Sequence, residues 1–185
     1  MKKSAIKTPF RIAVTGHRRF SNAKTHEQWR VQFVDAVARF IECCEAVGVT
    51  KDRMIFLSGC ALGVDIWFAT YAHVAGIPYE LYLPFKRTVQ VVKGKFNPLQ
   101  IDHLNTLITD ASKVVVVNNK FYPYGYQVRN MALVDNSQML LTYYQRKRSG
   151  SGNCERYALK KDKWIVDLMN FNQTSLPYCM DELTL

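Results

Sequence analysis

The chain has no run of 18 apolar residues, no C-x-x-C pair, no G-x-x-x-x-G-K-[ST] loop and no G-x-G-x-x-G turn. The first absence excludes a membrane-spanning helix, and Met1-Lys-Lys leads into Thr8-Pro-Phe-Arg rather than the apolar core of a signal peptide. A soluble cytoplasmic protein with no membrane partner is expected. Five cysteines, Cys43, Cys44, Cys60, Cys154 and Cys179, make an odd set without histidines at metal-ligand spacing. They predict reduced, mostly buried thiols, with neither a disulfide framework nor a zinc site. Without a P-loop or a dinucleotide turn, an ordinary NTPase or dehydrogenase is excluded, and no metal or obligatory cofactor is expected. No Pro/Ser/Gly-rich stretch divides the 185 residues, so one domain is expected, with a core over about 11–168 and an extension over 170–185 without clear pattern.

Acid is also scarce, with 15 Asp and Glu against 25 Lys and Arg and a formal charge of +10. The cations cluster at Lys2, Lys3, Lys7 and Arg11, at Arg18-Arg19, Lys86-Arg87 and Arg146-Lys147-Arg148, and at Lys160, Lys161 and Lys163. Several clusters adjoin glycine turns, which suits a phosphate-bearing ligand or nucleic acid. A generic solvated surface is the alternative.

Short apolar runs at 11–16, 54–57, 79–83, 113–118, 139–144 and 164–168 predict strands, and the run of valines at 113–118 reads as the clearest buried one. Helical periodicity covers 25–47, 61–75, 99–111, 129–136 and 154–163, and 145–153 reads as a basic glycine-serine loop. Strands alternating with helices predict an α/β, Rossmann-like fold, a mostly parallel sheet flanked by helices on both faces. In such a sheet the turns after Gly16, after Ser58-Gly59 and around Gly150 and Gly152 share the carboxyl edge, where ligands bind.

Each candidate in those turns has two readings. His17 is a proton-transfer group or a loop anchor. Arg18 is a phosphate fork or a surface cation. Gly59 and Gly63 admit a ligand's close approach or serve ordinary turn geometry. Asp65 holds ribose hydroxyls or is a first-turn helix acid. Arg129 and Asn130 with Asp135 are ligand contacts or a cap and a solvated charge. Glu155 assists cleavage at a ribose carbon or stabilises a helix start. Phe121, Tyr122, Tyr124 and Tyr126 stack on a base or on a protein partner.

Taken in order, Val14-Thr-Gly-His-Arg18, Leu57-Ser-Gly-Cys-Ala-Leu-Gly-Val-Asp65, Arg129-Asn130 with Asp135, and Gly150-Ser-Gly-Asn-Cys-Glu-Arg-Tyr-Ala158 resemble the motifs of the SLOG superfamily, most closely its YpsA-related branch. The resemblance implies a nucleotide-type ligand, such as an ADP-ribose-like molecule, a cyclic nucleotide signal or a nucleoside phosphate, and it implies self-association. Gly16, Arg18, Ser58, Gly59, Gly63, Gly150, Gly152 and Asn153 would hold phosphate and Asp65 ribose, in a sensing or sequestering protein. A LOG-like nucleotide N-glycosidase using Glu155 is the alternative activity, and DprA-like binding of single-stranded DNA is a third. The chain departs from the pattern at Asn153, where threonine is expected, and in Glu155, which follows one residue early. A one-residue helical shift turns a side chain by about 100°. Cys60 stands where the family has glycine, so it is expected to narrow the pocket.

Overall fold

The computed structural model describes residues 8–21 and 23–172. Lys2, Lys3, Lys7, Cys179 and the extension from 173 onward lie outside the described residues. Six parallel strands, β1 Phe10–Gly16, β2 Met54–Ser58, β3 Tyr79–Leu83, β4 Lys113–Val116, β5 Met139–Tyr143 and β6 Trp164–Asp167, pair in the order β4-β3-β2-β1-β5-β6. The helices are α1 His26–Ala46, α2 Val64–Ala75, α3 Arg87–Gly94, α4 Pro98–Asp110, α5 Gly125–Asp135 and α6 Gly150–Lys160. The protein is therefore α/β and Rossmann-like. α1, α2 and α4 cover one face, while α5 and α6 cover the other.

β1 is the pivot. Ile12 pairs with Phe56 on one side and with Met139 on the other, and the chain steps from β1 through β4 in one direction before returning to add β5. The order reverses between β1 and β5, and in open α/β sheets the crevice above that reversal is where ligands bind.

α1 forms because Trp29, Phe33, Val37, Phe40, Ile41 and Cys44 bury one helical stripe. Thr25 caps it reciprocally with Gln28. α2 is tied to β2 by Phe68, which stacks on Phe56 with centroids 4.2 Å apart and planes 7° from parallel. Such a fully buried aromatic pair sets the path of the turn between its two elements.

Three expectations need correction. The valine run at 113–118 is not the best buried strand. β4 is the sheet's edge, and Val114 and Val116 stay 38% and 42% exposed, because β-branched residues signal strand geometry whether or not a neighbour covers them. Residues 150–153 do not belong to a loop. Ser149 caps α6 by accepting from the Gly152 amide at 3.1 Å, so the glycines form the helix's first turn. α3 was not expected at all, since Thr88, Val89, Val91 and Val92 weaken helix propensity. It is fastened by buried Gln90, whose Nε2 donates to the Cys60 carbonyl at 2.6 Å.

Candidate functional site

Above the β1–β5 reversal lies a cleft of about 230 Å³, lined among others by Gly16, His17, Arg18, Asp65, Arg129 and Gly150. Its floor is a buried ion pair. Arg129, on the second turn of α5, places Nη1 2.5 Å from Asp65 Oδ2 on α2, and both side chains are more than nine-tenths buried. The same Asp65 oxygen accepts from the Ala61 amide at 3.3 Å. Arg129 Nε has no hydrogen-bond partner among the described residues. Charge is placed here because two helices from opposite faces of the sheet deliver it to one point, where desolvation makes each partner depend on the other.

Gly59 exists for this pair. A Cβ on Gly59 would lie 1.0 Å from Arg129 Nη1 and 2.2 Å from its Cζ, so the guanidinium occupies the space that any other residue would fill. Close approach was expected there, and the group that approaches is protein rather than ligand. Gly16 serves a related purpose, since its Cβ would meet Val64 at 2.5 Å, which lets the start of α2 rest on the end of β1. Gly63 has φ +86°, and a Cβ there would fall 2.5 Å from the His17 carbonyl oxygen, which itself accepts from the Val64 amide at 3.3 Å. The first and second turns are thereby locked together.

The second turn is knotted by its own side chains. Buried Ser58 donates to the Asp65 carbonyl at 2.6 Å and accepts from the Cys60 amide at 3.2 Å. Cys60 adopts φ +55° and is fully buried. Its side chain joins the core instead of narrowing the cleft, and burial pushes its thiol up to about 12. Neither Ser58 nor Cys60 lines the cleft.

The third wall is the amino end of α6. Ser151 Oγ donates to the Gly16 carbonyl at 2.8 Å, and Asn130 Nδ2 reaches the Gly150 carbonyl at 3.4 Å. Ser149 satisfies the amides of Gly152 and Asn153, leaving those of Gly150 and Ser151 as the uncommitted pair of this first turn among the described residues. A Cβ on Gly150 would meet nothing within 4 Å, whereas one on Gly152 would strike the Lys147 carbonyl at 2.0 Å. Gly150 thus opens on the cleft, and Gly152 is required by packing. Two uncommitted amides at a helix start suit an anion.

His17 accepts from the Arg146 amide at 3.3 Å through Nε2. Burial, then the charge of Arg146, lowers its pKa, so it is an uncharged acceptor that anchors the first turn to the third. Arg18 lies over the Tyr126 ring, with Cζ 4.8 Å from its centroid. Beyond His17 and Arg18 the cleft meets a second cavity of about 650 Å³ whose lining, among the described residues, includes Arg18, Arg19, Lys93, Lys95, Arg146 and Arg148 and no carboxylate.

Three other expected residues lie elsewhere. Asp135 ends α5, six residues and about 9 Å beyond Arg129; it accepts from Tyr157 Oη at 3.0 Å and faces Lys161 at 3.5 Å. Glu155 turns its carboxylate onto the Tyr144 hydroxyl, and Asn153 accepts from Arg156. None of the three lines the cleft. Sequence pattern did not point to Ser151 or Lys93. A serine between two glycines at a strand end was the available signal for the first, while the second depends on the unexpected α3.

No family model matches the chain, and no curated protein matches it. The Rossmann-like fold is shared with solved structures. DNA processing protein A from Streptococcus pneumoniae superposes with a TM-score of 0.62 at 17% identity, over 87% of this chain and 50% of that one. The Helicobacter pylori DNA processing protein A, described with a single-stranded DNA binding mode, gives 0.58 at 19% identity, over 86% and 65%. TM1055 gives 0.54 at 14% identity, over 85% and 72%. The chain thus spans half of the first protein and about two thirds of the second. No helix among the described residues is long and apolar enough to cross a membrane.

Proposed function

We propose that this protein binds a nucleotide or nucleotide-derived ligand in the cleft above β1 and β5, for sensing or sequestration. The observation that carries the proposal is the meeting of the open α6 amides of Gly150 and Ser151 with Arg18 in one cleft. Phosphate sits against those donors. Asp65 and Arg129, which line the floor of the same cleft, lie where a ribose would meet them. Glycosidic cleavage gains nothing from this arrangement, because Glu155 faces Tyr144 outside the cleft. A panel of nucleoside mono- and diphosphates and ADP-ribose, titrated calorimetrically, tests the reading. Arg18→Ala should weaken binding about 10-fold or more, since hydrogen bonds to charged groups are worth about 1.5–3 kcal/mol. Gly150→Ala should weaken it while leaving the melting temperature unchanged or higher, because Gly150 lines the cleft, a Cβ there meets nothing within 4 Å, and alanine favours helix. No binding across the panel at millimolar concentration refutes the proposal.

The carboxylate-free cationic cavity favours single-stranded DNA as a second reading. A labelled oligothymidylate should then bind with a steep salt dependence, and Arg146→Glu with Arg148→Glu should reduce the log–log slope by about 0.7 for each phosphate no longer neutralised. A slope unchanged by both substitutions removes this reading.

A further inference from the structure

A trough of about 860 Å³ runs along the outer side of α2, remote from the sheet edge for most of its length. Ile66, Trp67, Tyr71 and Val74 form its floor at spacings that keep one helical face, with Val34 of α1 on one wall and His103 of α4 on the other. Val74 is 79% exposed. From Gly63 to Val74 the floor is about 16 Å long. Thr70 on this face is already engaged: its hydroxyl donates to the Ile66 carbonyl at 2.8 Å and lies 2.7 Å from His103 Nε2. The floor then offers a ligand the apolar surface of Ile66, Val74 and the Tyr71 ring, with the Tyr71 hydroxyl beside it.

Charge in the trough has one sign and one location. Arg18, Arg19, Arg30 and Lys95 line it, and no carboxylate among the described residues does. Arg30 is engaged by Glu27 and Arg18 lies over the Tyr126 ring, so Arg19 and Lys95 are the cations left for a head group. The Arg18 Cα lies 2.8 Å from where a Gly63 Cβ would stand, so this charge adjoins the amino end of α2. The trough is therefore apolar along its length and cationic at one end.

We propose that this trough binds a single-chain anionic amphiphile, with its alkyl chain along Ile66, Tyr71 and Val74 and its head group against Arg19 and Lys95. Charge complementarity selects the head and fixes the direction of the chain. The proposal does not rest on nucleotide binding, since the floor lies outside the strand-end cleft.

The test is calorimetric titration of the full chain with dodecyl phosphate below its micellar concentration, alongside dodecyl maltoside and inorganic phosphate. Dodecyl phosphate should bind saturably at one equivalent, and the other two at least 10-fold more weakly. Val74→Glu places a carboxylate in the chain's path at a solvated position, so it should weaken dodecyl phosphate at least 10-fold without moving the melting temperature. Lys95→Glu should weaken it similarly by removing a head-group charge. Absence of saturable binding, equal affinity for dodecyl maltoside, or unchanged affinity in Val74→Glu overturns the proposal. So does sedimentation showing a dimer that Val74→Glu dissociates, because the trough would then be an interface between copies.

Discussion

Replacing Gly59 by alanine should destabilise the protein through a residue 70 positions away in sequence. The added Cβ would fall 1.0 Å from Arg129 Nη1 and 2.8 Å from its Cδ, so the guanidinium must leave. It cannot leave without breaking the 2.5 Å contact to Asp65. Breaking a buried pair costs about 3–5 kcal/mol, because one charge is left uncompensated. Against this, alanine restricts the unfolded chain and returns about 0.4–1 kcal/mol; Gly59 lies outside the left-handed φ region, so backbone strain does not enter. The net loss is about 2–5 kcal/mol, which for a domain of this size lowers the melting temperature by about 4–20 °C. The decisive measurement is a double-mutant cycle by urea unfolding. In an Arg129→Ala background the space above residue 59 is free, and Gly59→Ala should cost less than about 1 kcal/mol. Equal cost in both backgrounds would refute the claim that Gly59 exists to accommodate Arg129.

Acid should weaken the protein through Glu80. Burial pushes its carboxyl up, but bidentate hydrogen bonds from Arg11 at 2.9 and 2.6 Å, with that residue's charge, hold it net below the ordinary range. A depressed folded-state value means that this stabilisation is complete above the unfolded carboxyl's pKa and is lost as pH falls through the folded one. Urea midpoints between about pH 5 and pH 3 should fall less steeply in Glu80→Gln; parallel curves would contradict this. Burial pushes the Cys44, Cys60 and Cys154 thiols up to about 12, so a thiol reagent at about pH 8 should label them only on unfolding. Rapid labelling of Cys60 in the native protein would show that the second turn opens. Gly63→Ala forces φ +86° on a residue with a Cβ and drives it against the His17 carbonyl. It should cost about 1–3 kcal/mol and separate the first and second turns, read as a lower melting temperature with weaker ligand binding.

The order of elements was legible from local pattern. β3 was expected over the residues it occupies, and the α1 stripe from Trp29 to Cys44 together with the stop at Gly48 follows from side-chain periodicity alone. The carboxyl-edge convergence of the turns at Gly16, Ser58-Gly59 and Gly150 followed from a parallel sheet without knowledge of its strand order. The exposure of β4 was not legible, because a valine run reports backbone preference and carries no information about which strand ends the sheet. Nor was the separation of Asp135 and Glu155 from the cleft, since a helix directs residues six positions apart to different heights and faces.

By itself the sequence determined the α/β class, the three glycine turns and their sharing of one sheet edge, because these depend on contacts within a few residues. Only the tertiary structure decided what each glycine and charge is for. Gly59 makes room for Arg129, Gly16 for Val64 and Gly152 for the Lys147 carbonyl, while Gly150 alone of these four opens on free space. That distinction depends on atoms brought together from distant parts of the chain, and no local pattern records which partner arrives.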